Sequence, residues 1–163
     1  MLVVADWSID AQAVIDACER RNKETTSAFG LIVPAWLHGI DWAGDPFASV
    51  PCARRQLVNI TTLASRSGRA FDSAEIGDPE PVAAMCDVLD DWLADEIVIC
   101  ARGSRIPHPF DVTHRAARVT GLPVQRVSLP VPSSSNGTRR SWLRRLNGHC
   151  ALDQPQGAQL SAA

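Results

Sequence analysis

The sequence predicts an α/β fold in which a parallel sheet lies between two layers of helices. The first indication is the stretch of residues 75–105, which is typical of a strand end, a tight turn, an amphipathic helix, a buried strand and a glycine turn. The second is that short apolar strands and amphipathic helices alternate through residues 1–131. The segment IVIC at 97–100 is apolar on both faces of its pleat, as in a parallel strand covered by helices on both sides. Five strands alternating with four helices therefore predict a three-layer sandwich.

The first half of the chain shows two strand-and-helix units. Residues 1–5 predict a buried strand that ends at Asp6, and Ser8 is expected to cap the first helix. The inner stripe of that helix consists of Ala11, Val14, Ile15 and Cys18. Residues 29–33 predict the second strand, and Pro51 is expected to open a helix that stops near Gly68. The inner face of this second helix consists of Leu57, Ile60, Leu63 and Ala64.

The third strand, residues 70–76, has mixed polarity and is therefore expected at the sheet edge. Asp78 is expected to cap the third helix and Pro79 to occupy its first position. The apolar side chains at helical spacing, which predict its buried face, are Val82, Met85, Cys86, Leu89, Trp92 and Leu93. The acidic side chains on the other face are Asp87, Asp90 and Asp91.

The last part of the predicted domain is a short helix and a fifth strand. Asp111 is expected to cap the helix, and Gly121 is expected to end it in a left-handed conformation. Residues 122–129 then alternate as a strand. Residues 132–163 are rich in Pro, Ser, Gly, Asn and Gln and carry four arginines against one aspartate, so we expect a disordered basic tail.

Composition excludes several classes of protein. A chain of 163 residues with 45% hydrophobic residues is long enough for one globular domain. No apolar run approaches the ~20 residues of a membrane span, and we expect a cytoplasmic protein with no membrane span. The net charge is −2 although the tail is basic, so the folded part offers no footprint for nucleic acid.

The chain has five cysteines, an odd count. Cys18, Cys86 and Cys100 fall on predicted core faces, where a free thiol behaves as a small hydrophobic side chain. We therefore expect no disulfide framework.

Four motifs, in their order along the chain, resemble the universal stress protein family. The first strand ends in VVAD at Asp6, and IGDP at 76–79 resembles the start of that family's third helix. The segment DEIVICARGS at 95–104 resembles its fourth strand and glycine turn, and GLPV at 121–124 resembles the entry to its last strand. The resemblance covers about residues 2–129 and implies a Rossmann-like sandwich with the strand order 3-2-1-4-5.

In the ATP-binding branch of that family, the resemblance implies a nucleotide lying across the ends of the first and fourth strands. The branch carries a glycine, two residues, a second glycine, nine residues and then Gly-Ser or Gly-Thr. Gly103 matches the first glycine, but Ile106 stands at the second, and Pro107 has no N–H to offer a phosphate. Ala116-Ala117 stands near the last pair and supplies no hydroxyl. We therefore expect weak binding of ATP or AMP, or none.

The resemblance also implies a set of candidate ligand-binding residues. Those at the nucleoside end are Asp6, Val33 and Gly103. Those next to the glycine turn or able to neutralise a phosphate are Arg102, Ser104, Arg105, His114 and Arg115. No metal is expected beyond the magnesium that accompanies a nucleotide.

Two hypotheses of different class follow from these residues and the resemblance. The first is a regulatory or stress-response domain that acts by binding a small nucleotide and not by turnover. The second is a structural interaction module whose pocket has lost its ligand. The resemblance implies a homodimer through the fifth strand in either case, and Val124, Val127 and Leu129 would supply its apolar face.

A third hypothesis is a hydrolase or thiol enzyme. Cys100 could act as its nucleophile with His108 or His114 as the base, but a cysteine at the end of a buried strand is more often a packing residue. In the long loop of residues 36–52, the residue types that bind zinc are His38, Asp41, Asp45 and Cys52. Their spacing matches no zinc motif, so we prefer turn formation. Trp36 and Trp42 could stack on a base, but we prefer packing of the loop.

Overall fold

The computed structural model describes residues 1–24, 28–37, 45, 47–103 and 111–130. Strands and helices alternate through these ranges, as the sequence predicts. Their order is β1 (Leu2–Ala5), α1 (Ala11–Glu24), β2 (Gly30–Pro34), α2 (Val50–Arg66), β3 (Ser73–Gly77), α3 (Pro81–Asp91), β4 (Ile97–Arg102), α4 (Val112–Thr120) and β5 (Val124–Leu129). The tail from residue 131 onward lies outside the described residues.

The strands form one five-stranded sheet in the order β3-β2-β1-β4-β5. All four neighbouring pairs are parallel. The predicted α/β class and the strand order implied by the resemblance are both confirmed. The order reverses between β1 and β4, because the chain first builds outward from β1 through β2 to β3 and then returns to the other side of β1.

Alternation along each strand divides the core into two layers. The side chains of Val3, Val98 and Cys100 face α1 and α2, whereas those of Leu2 and Ile97 face α3 and α4. These five side chains are at most 7% exposed. Because each fully buried aliphatic side chain contributes about 1.5–3 kcal/mol, the two layers together hold the sheet between its helices.

The first helix starts later than the sequence predicts. Asp10, not Ser8, caps α1, because the backbone N–H of Ala13 donates to Asp10 Oδ1 at 3.1 Å. The backbone N–H of Ser8 donates instead to Asp6 Oδ1 at 2.8 Å, and this tight turn delays the helix. The Ser8 hydroxyl is buried and has no hydrogen-bond partner among the described residues.

The third helix is capped by Glu80 and not by Asp78. The backbone N–H of Ala83 donates to Glu80 Oε2 at 2.8 Å, and Asp78 Oδ1 accepts the N–H of Glu80 at 2.8 Å in the turn before the helix. Pro81, and not Pro79, is the first helical residue. The reason is steric: a residue that precedes proline is held in an extended conformation, and Glu80 has a ψ of 111°.

The prediction that Leu93 belongs to the buried face of this helix is wrong. The helix ends at Asp91, and Trp92 is extended with φ −134° and ψ 123°. This turn places the indole of Trp92 against the backbone at Gly30, while Leu93 points outward and is 92% exposed. Trp92 itself packs against the core on the α3 side, as predicted.

Other predicted signals are confirmed. The N–H of Thr113 donates to Asp111 Oδ1 at 3.1 Å, and Gly121 ends α4 with a left-handed φ of 69°. A proline lies in the first turn of α2, and β3 lies at the sheet edge. No helix in the described ranges combines the length and the apolar character that crossing a membrane requires.

The cysteines depart from the prediction at one position. Cys18, Cys86 and Cys100 are free thiols, as expected of core cysteines. Cys52 is disulfide-bonded, a single bond that the expected absence of a disulfide framework did not anticipate. Because its sulfur is already committed, Cys52 is excluded as a zinc ligand in this state.

Candidate functional site

The strand order places two predicted site residues at the carboxyl ends of neighbouring strands. Asp6 follows β1, Gly103 follows β4, and these strands are paired with Ala5 opposite Cys100. The backbone N–H of Asp6 donates to the carbonyl of Cys100 at 2.9 Å, so the pairing extends to the very end of β1. Open α/β sheets bind ligands at the carboxyl ends of strands where the order reverses. We call the carboxyl ends of β1 and β4, with Asp6 and Gly103, the switch crevice.

Asp6 forms the buried side of the switch crevice. It is 3% exposed, and its Oδ1 accepts the backbone N–H of Ser8 at 2.8 Å. A buried carboxylate requires hydrogen-bond donors, and this backbone donor is one of those that Asp6 uses. The carboxylate therefore stabilises the turn that leads from β1 to α1, and this turn lies where the strand order reverses.

Gly103 forms the exposed side of the switch crevice. Among the described residues, a Cβ at this position would meet only Ser128, at 3.6 Å from its Cβ and 3.8 Å from its Oγ. The fold therefore has room for a side chain at Gly103 and does not by itself require glycine. A glycine that packing does not demand leaves the backbone open to close approach by a ligand.

The exposed Arg102 side chain precedes Gly103, and a second cation lies beside it. Arg126 donates from Nη2 to the carbonyl of Arg102 at 3.1 Å, and its Nη1 lies 3.7 Å from Asp111 Oδ1. The pKa of Asp111 is below its ordinary value, first because Thr113 donates a backbone hydrogen bond and to a smaller extent because of Arg126. Sequence reasoning missed Arg126 as a residue of this region. The alternation along β5 predicted that Arg126 points outward, but it did not predict which residue of β4 Arg126 would contact.

The two candidate residues on α4 are exposed. His114 and Arg115 both lie in the first turns of that helix. Arg115 Nη1 lies 3.2 Å from Glu80 Oε1, so its guanidinium joins the start of α4 to the cap of α3. A phosphate would have to compete with this carboxylate for Arg115.

Val33 lies near the carboxyl end of β2, and its side chain is fully buried in the core. The pairing of β2 with β1 ends at Ile32, whereas its pairing with β3 continues to Pro34. Any contact between Val33 and a ligand would therefore come through its backbone. Ser104 and Arg105 lie outside the described residues.

Two tryptophans join the ends of β1 and β2. The indole N–H of Trp7 donates to the backbone carbonyl of Trp36 at 2.7 Å, and both residues are half-buried. Trp7 also packs against the core on the α1 side. This bond uses the backbone of Trp36, so the preference for packing of its indole stays a prediction, and Trp42 lies outside the described residues. Sequence reasoning missed Trp7, although an indole directly after the strand-end aspartate was a usable signal.

The competing chemical sites receive little support. Cys100 is fully buried, and burial raises the pKa of its thiol to about 12, which disfavours the thiolate that a nucleophile needs. In the part of the chain that the structure describes, no group of three His, Cys, Asp or Glu side chains could hold a metal. Asp45 accepts the N–H of Phe47 at 2.8 Å, as a turn former does, and His38, Asp41 and His108 lie outside the described residues.

Comparison with known proteins finds similarity in fold. The chain is similar to the solved structure of a universal stress protein from Archaeoglobus fulgidus, with a TM-score of 0.52 and 16% sequence identity. The superposition covers 78% of this chain and 93% of that one. No family model matches the sequence, and no curated protein matches it. At this level of identity the similarity establishes a universal stress protein-like fold.

Proposed function

We propose that this domain is a universal stress protein-like regulatory module that binds an adenine nucleotide weakly at the switch crevice and does not turn it over. The observation that carries the proposal is that Asp6 and Gly103 follow the two neighbouring strands, β1 and β4, between which the strand order reverses. The buried carboxylate is suited to accept hydrogen bonds from the hydroxyls of a ribose. The glycine, free of steric demands from its neighbours, leaves a backbone surface for the same ligand.

The weakness of binding follows from the phosphate end. Pro107 lacks the N–H that a phosphate cradle would use, and Ile106 replaces a glycine. Arg115 is already paired with Glu80, and Arg126 with Asp111. Arg102 is the exposed cation next to the crevice. A nucleotide would therefore be held chiefly by its nucleoside, so AMP should bind about as tightly as ATP.

A structural interaction module is the second candidate function. The observation that favours it is the Trp7–Trp36 hydrogen bond, which links the segments that follow β1 and β2. Neither of two cavities found in the described part of the molecule is lined by Asp6 or Gly103. On this account the fold presents a surface for association and the switch crevice carries no ligand.

Thermal unfolding with and without nucleotide separates the two functions. A ligand that binds only the folded state stabilises it by RT ln(1 + [L]/Kd), about 2.7 kcal/mol when the ligand is at 100 times Kd. We expect AMP, ADP and ATP at millimolar concentration to raise the melting temperature by similar amounts, and CMP to raise it less. Nucleotide recovered after incubation should be unchanged. Absence of any shift would leave the structural module, and phosphate release above the blank would contradict binding without turnover.

A matched variant locates the site. Gly103→Ala should melt at the wild-type temperature without ligand, because within the described ranges the nearest atom to its Cβ is the Cβ of Ser128, at an ordinary contact distance of 3.6 Å. It should nevertheless lose most of the nucleotide-induced shift, because the methyl group keeps the ligand from the backbone. Ser128→Ala, next to it, should keep the shift. An undiminished shift in Gly103→Ala would place the binding site elsewhere.

A further inference from the structure

A second feature of the molecule, a cavity away from Asp6 and Gly103, has no role in the proposed function. It has a volume of about 190 Å³ and lies between α1 and the sheet, beside β5. Its wall includes Met1, Cys18, Val98, Cys100 and Val127. Because three of the side chains around this space carry sulfur, we call it the sulfur cavity. The exposed side chain of Arg20 lies at its rim.

The two thiols of the sulfur cavity come from different elements. Cys18 lies on the inner face of α1 and is 7% exposed, and Cys100 lies on β4 and is fully buried. Both are free. Both residues line the same cavity. Met1 is 6% exposed and also lines this cavity.

The composition of the wall selects a class of metal ion. Thiols and thioethers prefer soft ions such as Cu(I), whereas zinc in proteins takes four nitrogen, sulfur or oxygen ligands. No imidazole or carboxylate is among the residues that line the sulfur cavity. We propose that Cys18 and Cys100 form a binding site for one Cu(I) ion, with the thioether of Met1 available as a third ligand.

The binding step balances without an oxidant or a reductant. Cu(I) leaves its carrier, and two copper–sulfur bonds form. Each thiol keeps its proton until the metal coordinates its sulfur and then releases it to solvent, so no free thiolate is needed and no electron is transferred. The resulting copper dithiolate carries one negative charge. Arg20 can compensate this charge, because it lines the same cavity and makes no salt bridge within the described residues. The neighbouring Arg21 is instead paired with Glu96 at 2.7 Å.

Competition for copper tests the proposal. The oxidised protein, with its Cys52 disulfide intact, is mixed without oxygen with Cu(I) held by a coloured chelator of known affinity. We expect the wild-type chain to withdraw one Cu(I), releasing two protons, and Cys18→Ser and Cys100→Ser to withdraw at least tenfold less at the same chelator concentration. The matched control is Cys86→Ser, because Cys86 is a free thiol on the α3 side of the sheet and should leave uptake unchanged. Uptake that persists in the Cys18 and Cys100 variants, or that depends on Cys86, would overturn the proposal.

A measurement on the wild-type chain keeps the test independent of the variants' folding. X-ray absorption at the copper edge should show two or three sulfur neighbours and no nitrogen or oxygen neighbour. Nitrogen or oxygen ligands would refute the site, as would failure of the wild-type chain to take copper from the chelator. Thermal unfolding with nucleotide remains a separate readout, since Gly103→Ala should take up copper as the wild type does. Loss of one binding activity would therefore not imply loss of the other.

Discussion

At the scale of single residues, Gly77 at the end of β3 lets α3 pack closely against the sheet because it has no side chain. A Cβ built there would lie 2.6 Å from the Cβ of Ala84 and 2.6 Å from Cδ1 of Ile32. The Cβ of Ala84 can move only with its helix, so the clash cannot be relieved by a rotamer change. Gly77→Ala should therefore lower the free energy of unfolding by about 1–3 kcal/mol, measured by urea denaturation.

The control for Gly77→Ala is the same substitution at Gly103. There the nearest atom to the added Cβ is 3.6 Å away, an ordinary contact distance. The free energy of unfolding of Gly103→Ala should stay within about 0.5 kcal/mol of the wild type. Equal losses in the two variants would show that packing at Gly77 is not the cause.

A second prediction at this scale concerns the pH dependence of stability. Arg21 donates from Nε and Nη2 to the carboxylate of Glu96 at 3.0 and 2.7 Å. This hydrogen bonding is the largest of the effects that hold the pKa of Glu96 below its ordinary value of 4.5. Because the pKa is lower in the folded state, the stabilisation is complete above the ordinary value and is lost as the pH falls through the lowered one.

Glu96→Gln should therefore lose about 1 kcal/mol or less at pH 7, since the pair is partly exposed, with 22% of the Glu96 side chain accessible. Below pH 4.5 its stability should fall less steeply than that of the wild type. Urea denaturation at a series of pH values measures both effects. The control is Asp87→Asn, at an exposed position on α3, which should keep the wild-type slope. An unchanged slope in Glu96→Gln would contradict the assignment.

At the scale of elements, the end of α3 shows how one backbone turn decides which side chain is buried. Carbons of the Trp92 indole ring lie 2.9 to 3.2 Å from where a Cβ of Gly30 would stand, so helix and strand meet at that glycine. Trp92→Ala should leave a cavity there and cost about 3 kcal/mol of unfolding free energy. Leu93→Ala should change it by less than about 0.5 kcal/mol, because Leu93 is 92% exposed. A larger loss at Leu93 than at Trp92 would mean that the helix continues past Asp91.

Helix boundaries were the part of the elements that the sequence predicted least well. Every strand and helix was predicted in order, because period and turn residues are local signals. Which of two nearby residues caps a helix depends instead on hydrogen bonds and backbone angles that the periodic pattern does not show. Ser8 does not cap α1, because its N–H donates to Asp6. Asp78 does not cap α3, because Pro81 holds Glu80 in the extended conformation of a capping residue.

At the scale of the whole molecule, the sequence predicted the switch crevice but not its surroundings. Asp6 and Gly103 were named because the resemblance implies them, and each directly follows an apolar strand, so the parallel pairing of β1 with β4 puts them at the same edge of the sheet. The pairing of Arg115 with Glu80 was not predictable, since it depends on how α3 and α4 pack side by side. That Cys18 and Cys100 line one cavity depends likewise on how α1 packs on the sheet.

The free edge of β5 is the feature that should decide the assembly of the molecule. β5 pairs with β4, and no strand in the described ranges pairs with its other side. The backbone N–H of Ile97 donates to the carbonyl of Pro123 at 2.9 Å, which sets the phase of the β4–β5 ladder. In that phase the N–H of Gln125 points to β4 and the N–H of Ser128 points to the free edge.

We expect two copies of the chain to associate through this edge, so sedimentation equilibrium should give the mass of a dimer at micromolar concentration. Ser128→Pro removes an edge-facing donor without breaking the β4–β5 ladder, and it should weaken the dimer at least tenfold while the monomer stays folded. Ser128→Ala keeps the donor and should remain dimeric. A wild-type chain that stays monomeric at high concentration would exclude association through β5. A Ser128→Pro chain that still dimerises would move the interface to another surface, since proline at that position leaves an approaching strand one hydrogen bond short and places a ring in its path.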